Sequence, residues 1–371
     1  RIKRYAASSR TERLPVEAVA QASCVQRAGR AGRVAPGVCI RLYAEEDFKA
    51  RPLYTDPEIL RSNLAGVVLT SLGMGLGDPE HLPWLDPPPP GMWHQARLLL
   101  EELGAAEDAP LRLTPLGRDL SALPADPAVA RILLAGVAEG IAHEACTIAA
   151  FLSVQDPRVR PLGQEAKADG AQRSLAHEAG DLTTVLNLWD RYQSQPSNSA
   201  RARFCEAHFL GVRRMREWAD VRHQLWHALR ASRRGAALPP AGHEPGTWPI
   251  DAVHRAVLAG MLGNVLMYER EKRVYRGAGK REIAVHPGSA LRSGKLDDGK
   301  RAPPPPPWLV ACEIVETSRL FARLCVPIDP EWVVQLAGER IKRSHRDPQW
   351  SLQRRQVVCI ETLSWKGLPV R

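Results

Sequence analysis

Gln26-Arg27-Ala28-Gly29-Arg30-Ala31-Gly32-Arg33 is the most informative stretch of this chain. Arg27, Arg30 and Arg33 recur at intervals of three, which brings them close together on a helical turn. Gly29 and Gly32 remove side chains between them and let a ligand or a second backbone approach. Guanidinium groups grouped in this way bind phosphate through paired N–H donors. The same grouping can stabilise the charge that develops in phosphoryl transfer. Ser23 and Gln26 also have the spacing of a capping box, which would give Gln26 a purely structural role.

The rest of the composition sets the frame for that reading. The chain has 371 residues, enough for two to four compact units. Hydrophobic residues make up 44% and charged residues 25%, as in a folded globular protein. Lys and Arg number 51 against 41 Asp and Glu, a net charge of +10, and only nine of the cations are Lys. That excess of arginine favours a polyanionic partner. No apolar run is long enough to span a bilayer, and no signal peptide precedes the first segment, so no membrane role is expected. The start at Arg1 reads as part of a longer chain. Seven cysteines occur singly and in odd number, which predicts reduced core thiols rather than a disulfide framework or a metal knot. His143-Glu144 and His177-Glu178 lack the second histidine of a zinc helix, so no metal site is expected.

Proline runs at Pro87–Pro90 and Pro303–Pro307 read as linkers or loops, and residues 233–249 form a third break. Asp56-Pro57-Glu58 carries helix start signals, with Leu60, Leu64, Val67, Val68 and Leu72 as one apolar stripe. Asp126-Pro127 repeats the signal, and a further helix is expected from Asp181. Residues 200–231 continue the pattern. There Arg201, Arg203, Arg213, Arg214, Arg216 and Arg222 form either a solvated face or a phosphate-contacting one. After a helical stretch over 253–262 the period changes to two. Short strands are predicted at 265–268, 273–275, 282–286, 309–315 and 320–328, with Gly277-Ala278-Gly279 as a hairpin turn. Five such strands suit a small, partly open barrel.

The arginine segment resembles motif six of superfamily-two helicases, and the chain beyond it is similar to the DEAH-box RNA helicases. The resemblance runs through Gly37-Val38-Cys39-Ile40-Arg41-Leu42-Tyr43, Thr55–Leu64, Leu76-Gly77-Asp78, Leu113–Arg118 and Leu123–Pro127. It continues through His286-Pro287-Gly288-Ser289 and Glu316-Thr317-Ser318-Arg319. Ile328–Val333 and Gly367-Leu368-Pro369 point more narrowly to the bacterial HrpA type.

The resemblance implies a multidomain α+β chain. Residues 1–48 would end a second RecA-like α/β motor domain, and 49–108 would be a winged helix. Residues 109–240 would form an all-α, ratchet-like helicase-associated bundle and 250–340 an OB-type β-barrel, with 341–371 opening the HrpA-type C-terminal region. Gln26, Arg30 and Arg33 would face the ATP γ-phosphate, Arg30 and Arg33 as arginine fingers. Arg27 and Gly29 would brace the nucleotide site. His286, Ser289, Thr317, Ser318 and Arg319 would touch single-stranded RNA, with Arg273, Arg276, Lys280 and Arg281 nearby; Phe321 and Trp308 are expected in the core.

The implied activity is ATP-dependent RNA unwinding in the cytoplasm, with the ribosome a candidate context and DNA less favoured. No Walker A, DEAH or motif-five segment is present, so these residues form one edge of an ATP site, and the Mg²⁺ ligands lie outside them. Gly294–Lys300 fits a phosphate-loop spacing, but Arg301 replaces the Mg²⁺-binding hydroxyl and the prolines after it forbid the helix. Two other readings remain, a non-enzymatic RNA-binding adaptor and a winged-helix DNA-binding regulator. The regulator is disfavoured because Glu58–Leu72 carries little positive charge beyond Arg61.

Overall fold

A helical centre lies between two strand-rich regions in the computed structural model, which describes residues 4–6, 11–13, 17–235, 238–292, 303–317 and 319–370. The Gly294–Arg301 segment and Ser318 lie outside the described residues. At the front, β1 (Arg4–Ala6) pairs antiparallel with β2 (Thr11–Arg13), followed by α1 (Gln21–Ala28) and α2 (Glu45–Ala50). Helix α1 starts at Gln21 with no side-chain cap, so Ser23 lies inside it and the Ser23–Gln26 capping box does not form. Instead Gln21 Nε2 donates to the Arg51 carbonyl at 2.8 Å and ties α1 to the chain beyond α2.

The helix expected from Pro57 is divided. A single 3₁₀ turn covers Glu58–Leu60, Arg61 leaves helical geometry at φ −133°, and Asn63 Oδ1 accepts from the Ala65 N–H at 2.9 Å to start α3 (Ala65–Gly73). The start signal at Asp56 thus yields one short turn, and the longer helix begins after Asn63. The first proline run likewise ends inside an element, because Pro90 occupies the first turn of α4 (Pro90–Glu102), where its missing N–H costs nothing. A hairpin of β3 (Ala106–Asp108) and β4 (Leu111–Leu113) comes next, then α5 (Pro115–Ser121). The boundary expected at 108/109 falls within that hairpin, whose ladder runs from Ala106↔Leu113 to Asp108↔Leu111.

Asp126 starts a helix as expected, its Oδ1 accepting from Ala128 N at 2.9 Å with Pro127 in the first turn. The bundle comprises α6 (Pro127–Ala138), α7 (Ala142–Ser153), α8 (Glu165–Arg173), α9 (Asp181–Gln193), α10 (Asn198–Ala207) and α11 (Val212–Ala231), with α12 (Ile250–Gly260) against α6. The long helical pattern over 200–231 breaks where Phe209 takes φ 53° and gives its carbonyl to Val159 N. Trp218 is fully buried and donates Nε1–H to the Thr147 carbonyl at 2.9 Å. Arg222 and Arg214 leave the expected basic face: Arg222 Nε donates to Thr147 Oγ1 at 2.8 Å, and Arg214 donates to the Asp156 carbonyl at 2.9 Å. Gly260 is required by packing, since a Cβ there would lie 2.3 Å from the Ala128 carbonyl oxygen and 2.5 Å from Ile132.

The barrel strands are β5 (Val265–Glu269), β6 (Val274–Arg276), β7 (Glu282–Val285), β8 (Trp308–Glu316) and β9 (Leu320–Pro327). Their order is β8-β5-β6-β7-β9, and β9 returns to β8, so the barrel is closed rather than partly open. Closure arises from the eight-residue length of β9, which pairs antiparallel with β8 (Val310↔Val326) and parallel with β7 (Ala284↔Phe321). Leu266, Tyr275, Ile283, Leu309, Ala311 and Cys325 fill its interior. The Tyr275 hydroxyl donates to the Pro306 carbonyl at 2.8 Å and pins the second proline run. Strand β2 reaches β8 through the parallel pair Glu12↔Val315.

After the barrel come α13 (Pro330–Ala337) and a sheet of β10 (Lys342–Ser351), β11 (Gln356–Trp365) and β12 (Leu368–Pro369). Its base is stitched back to earlier elements. Trp365 Nε1 donates to the Leu262 carbonyl at 2.9 Å, Lys366 pairs with Glu102, and Arg340 Nη1 donates to the Glu101 and Glu102 carbonyls. All seven cysteines are free; five are buried, but Cys39 and Cys359 are exposed. Among the described residues no helix is long and apolar enough to cross a membrane.

Candidate nucleic-acid interface and nucleotide edge

Two regions carry charged groups in suitable geometry. In the first, α1 ends at Ala28, and Gly29 caps it by donating to the Val25 carbonyl at 2.9 Å. Gln26 and Arg27 are therefore helical, whereas Arg30 and Arg33 stand on the turn beyond, so the three arginines do not share one helical face. The helix ends after eight residues, with Gly29 as its C-cap. Arg27, Arg30 and Arg33 are exposed, and no carboxylate among the described residues pairs with them. Cys24, Gln21 and Arg51 hold the segment from behind; Arg51 stacks over Tyr43 at 3.9 Å and pairs with Asp47 at 2.5 Å.

The second region is the junction of bundle and barrel. Asp181, the first residue of α9, is buried, and its carboxylate accepts four hydrogen bonds from the barrel side. Ser289 Oγ–H reaches both of its oxygens (2.9 and 2.8 Å), Ala290 N reaches Oδ1 at 2.7 Å, and Cys325 N reaches Oδ2 at 2.8 Å. Gly180 makes the approach possible. It sits at φ 139°, where a side chain is strained, and a Cβ would lie 3.1 Å from the Cys325 carbonyl oxygen.

Ser289, expected to touch RNA, is thereby corrected to a buried clasp residue whose hydroxyl is committed to Asp181. His286 is half-buried at the start of the same turn. Burial and the neighbouring Arg323 charge lower its pKa, with Asp181 opposing, so it is held in the neutral form. Thr317 and Arg319 are exposed on the β8–β9 turn, where the Thr317 N–H donates to the Arg319 carbonyl at 3.1 Å. Arg319 lies over the Phe321 ring at 4.8 Å, and His286 meets the same ring edge-on at 5.8 Å. Phe321 and Trp308 are half-buried rather than enclosed, so Phe321 presents part of its ring beside those two groups.

Sequence reasoning missed the bundle's contribution to this junction. Arg158 forms a bidentate pair with Asp156 (2.9 and 2.7 Å), and Arg323 of β9 reaches Asp156 at 3.6 Å and Glu313 at 3.1 Å. Burial raises the Asp156 pKa, but the charge and hydrogen bonds of Arg158 outweigh it, and the carboxyl stays below its ordinary value. Arg160 pairs with Asp169 at 2.8 Å and leaves much of its surface to solvent. The Arg-Val-Arg run at 158–160, in the loop after α7, was the available signal. The Arg273, Arg276, Lys280 and Arg281 group lies on the β6–β7 side, with Arg281 Nε already donating to the Ala278 carbonyl.

Comparison with known proteins matches both units. The family described as "Helicase associated domain (HA2), ratchet-like" matches residues 126–211, and the "Oligonucleotide/oligosaccharide-binding (OB)-fold" family matches residues 253–341. Across 100% of its length the chain is 39% identical to the ATP-dependent RNA helicase HrpA of Escherichia coli, and equally so to the HrpA homolog of Haemophilus influenzae. The chain is thus similar along its whole length to HrpA-type helicases. It spans 28% of the length of those two relatives. A human relative, the probable ATP-dependent RNA helicase DHX35, is 32% identical over 91% of this chain, which covers 45% of it. The ratchet-like match covers α6–α10 of the bundle, and the OB-fold match covers the strands β5–β9.

Proposed function

We propose that this chain is the RNA-engaging part of an ATP-dependent RNA helicase and supplies one wall of its ATP site. The observation that carries the reading is the set of exposed guanidinium groups at Arg27, Arg30 and Arg33, with no acidic partner among the described residues, in a chain whose ratchet and barrel are locked together. Those groups fit a triphosphate. Arg30 and Arg33 reach towards the γ-phosphate, Gln26 faces the attacking water, and Arg27 and Gly29 shape the turn beneath them. Bound Mg²⁺ would neutralise phosphate charge. We place its ligands outside these residues, because no Walker A or DEAH segment is among them.

Residues up to about 48 are read as the end of a RecA-like motor domain. In support, the apolar residues Val38, Ile40 and Leu42 alternate in the sequence and stand at 86%, 81% and 95% exposure, apart from any described core. The unit of α3, α4, α5 and the β3–β4 hairpin is read as a winged helix. A single RNA strand lies on His286, Thr317 and Arg319, with Arg160 and Arg323 of the junction beside them. Seven free thiols go with a reducing, cytoplasmic setting.

The test is RNA-stimulated ATP hydrolysis by the full-length protein. Arg30→Ala is expected to lower the rate by about 10³-fold or more, the scale of a lost arginine finger. Equal stimulated rates in the two proteins would end the reading.

A further inference from the structure

The sheet of β10–β12 divides sharply into base and tip. Leu363, Trp365, Leu368 and Val370 are buried against the body, whereas every described residue from His345 to Glu361 is exposed except the half-buried Val358. The distal halves of β10 and β11 therefore form a free-standing arm. Trp350 stands near its end, 61% exposed and paired in register with Val357. Between Lys342 and Glu361 the arm carries Lys342, Arg343, Arg346, Arg354 and Arg355 against only Asp347 and Glu361. Glu361 is already engaged by Arg343 at 3.4 Å and His345 at 3.7 Å. Lys342, Arg346 and Arg355 have no acidic partner among the described residues.

We infer that this arm is a second binding site for single-stranded nucleic acid, with Trp350 as a stacking platform for a base and Arg346 and Arg355 as phosphate contacts. An exposed indole among unpaired cations is the combination that holds single strands without regard to sequence. A protein-docking face would gather its apolar residues on one side. Here Trp350 and Val357 lie on one face and Val358 and Ile360 on the other. Arg346, paired with Ile360, is on the face away from Trp350, so a bound strand crosses the edge of the arm between them. The bulge between Arg346 and Gln349 twists the arm and blunts its pairing edge against another strand. The inference rests on the reading that this protein handles RNA, and the test separates the two.

Binding of a fluorescently labelled oligouridylate to the chain is measured by anisotropy across a range of KCl concentrations. Trp350→Ala is expected to weaken binding about tenfold, within the range for one lost stack, and Trp350→Phe to stay near wild type. The double variant Arg346→Gln/Arg355→Gln is expected to lower the slope of log K against log salt by about 1.4, since each phosphate contact to a single strand contributes about 0.7. Wild-type affinity and slope in all three variants, with Arg319→Ala still weakened, would overturn the arm as a site, leave its apolar tip to a protein partner and preserve the RNA reading. Absence of binding by the unaltered chain would overturn both. All four altered positions are exposed, so circular dichroism is expected to be unchanged.

Discussion

Replacing Asp181 with Asn changes one oxygen into an NH₂ group of nearly the same size. In the native protein that carboxylate accepts from Ser289 Oγ, Ala290 N and Cys325 N at 2.7–2.9 Å, within a buried site. The amide of Asn has one acceptor atom, so either Ala290 N or Cys325 N must face a donor. Ser289 Oγ already accepts from Leu291 N at 3.1 Å and has little freedom to relieve it. One buried N–H left unpaired costs about 1–3 kcal/mol. Taking about 2 kcal/mol, the local opening equilibrium between ratchet and barrel rises about thirtyfold. Amide hydrogen exchange read by mass spectrometry over 288–291 and 324–327 is expected to accelerate by that factor, while α1 is unaffected. Exchange rates at the wild-type level in both segments would show that the clasp does not hold the two units, and the argument from its geometry would fail.

The same kind of contact sets four further outcomes. Gly260→Ala places a Cβ 2.3 Å from the Ala128 carbonyl oxygen and is expected to destabilise the bundle by about 1–3 kcal/mol, seen as a lower urea midpoint. Burial pushes the pKa of His254 down to about 4 from 6.5, with Asp251 opposing. The unfolded chain therefore binds the proton first: stability is complete above about pH 6.5 and falls by about 3 kcal/mol as pH drops to 4, and His254→Leu should flatten that slope in urea titrations at both pH values. Arg319→Ala is expected to weaken RNA binding and lower the salt slope by about 0.7, measured by anisotropy. Ellman's reagent is expected to titrate two thiols quickly, those of Cys39 and Cys359. Burial raises the pKa of Cys146 to about 11, and Cys312 and Cys325 shift upward for the same reason.

The barrel was the most legible part of the chain because its information is local. Each strand is a short apolar run readable over a few residues, and the Gly277–Gly279 turn falls where β6 meets β7. The helix that begins after Asp126 was legible for the same reason, since a cap lies within three residues of what it caps, and the helix from Asp181 was legible from its apolar spacing. Errors arose where two local signals competed, as at Asp56 and Asn63, or where a spacing of three was read as helical although glycine stopped the helix at Ala28. Asp181 is the instructive case. Its helix-starting role was visible, but its partners at Ser289, Ala290 and Cys325 are 108 to 144 residues away, and nothing near Asp181 announces them. Ser289 was singled out as an RNA contact although it is buried against Asp181, because a hydroxyl facing RNA and a hydroxyl facing a buried carboxylate look alike in sequence.

Lys366 and Arg340 return to the end of α4 after more than two hundred residues of ratchet and barrel. The fold is in this sense a buckled strap, with its last sheet fastened to the unit that precedes the bundle. Tension applied to the chain beyond Val370 is borne first by the Lys366–Glu102 pair and the Trp365–Leu262 hydrogen bond. The load is thereby shunted into α4 and the foot of α12, and the ratchet and barrel between them are spared from being peeled open strand by strand.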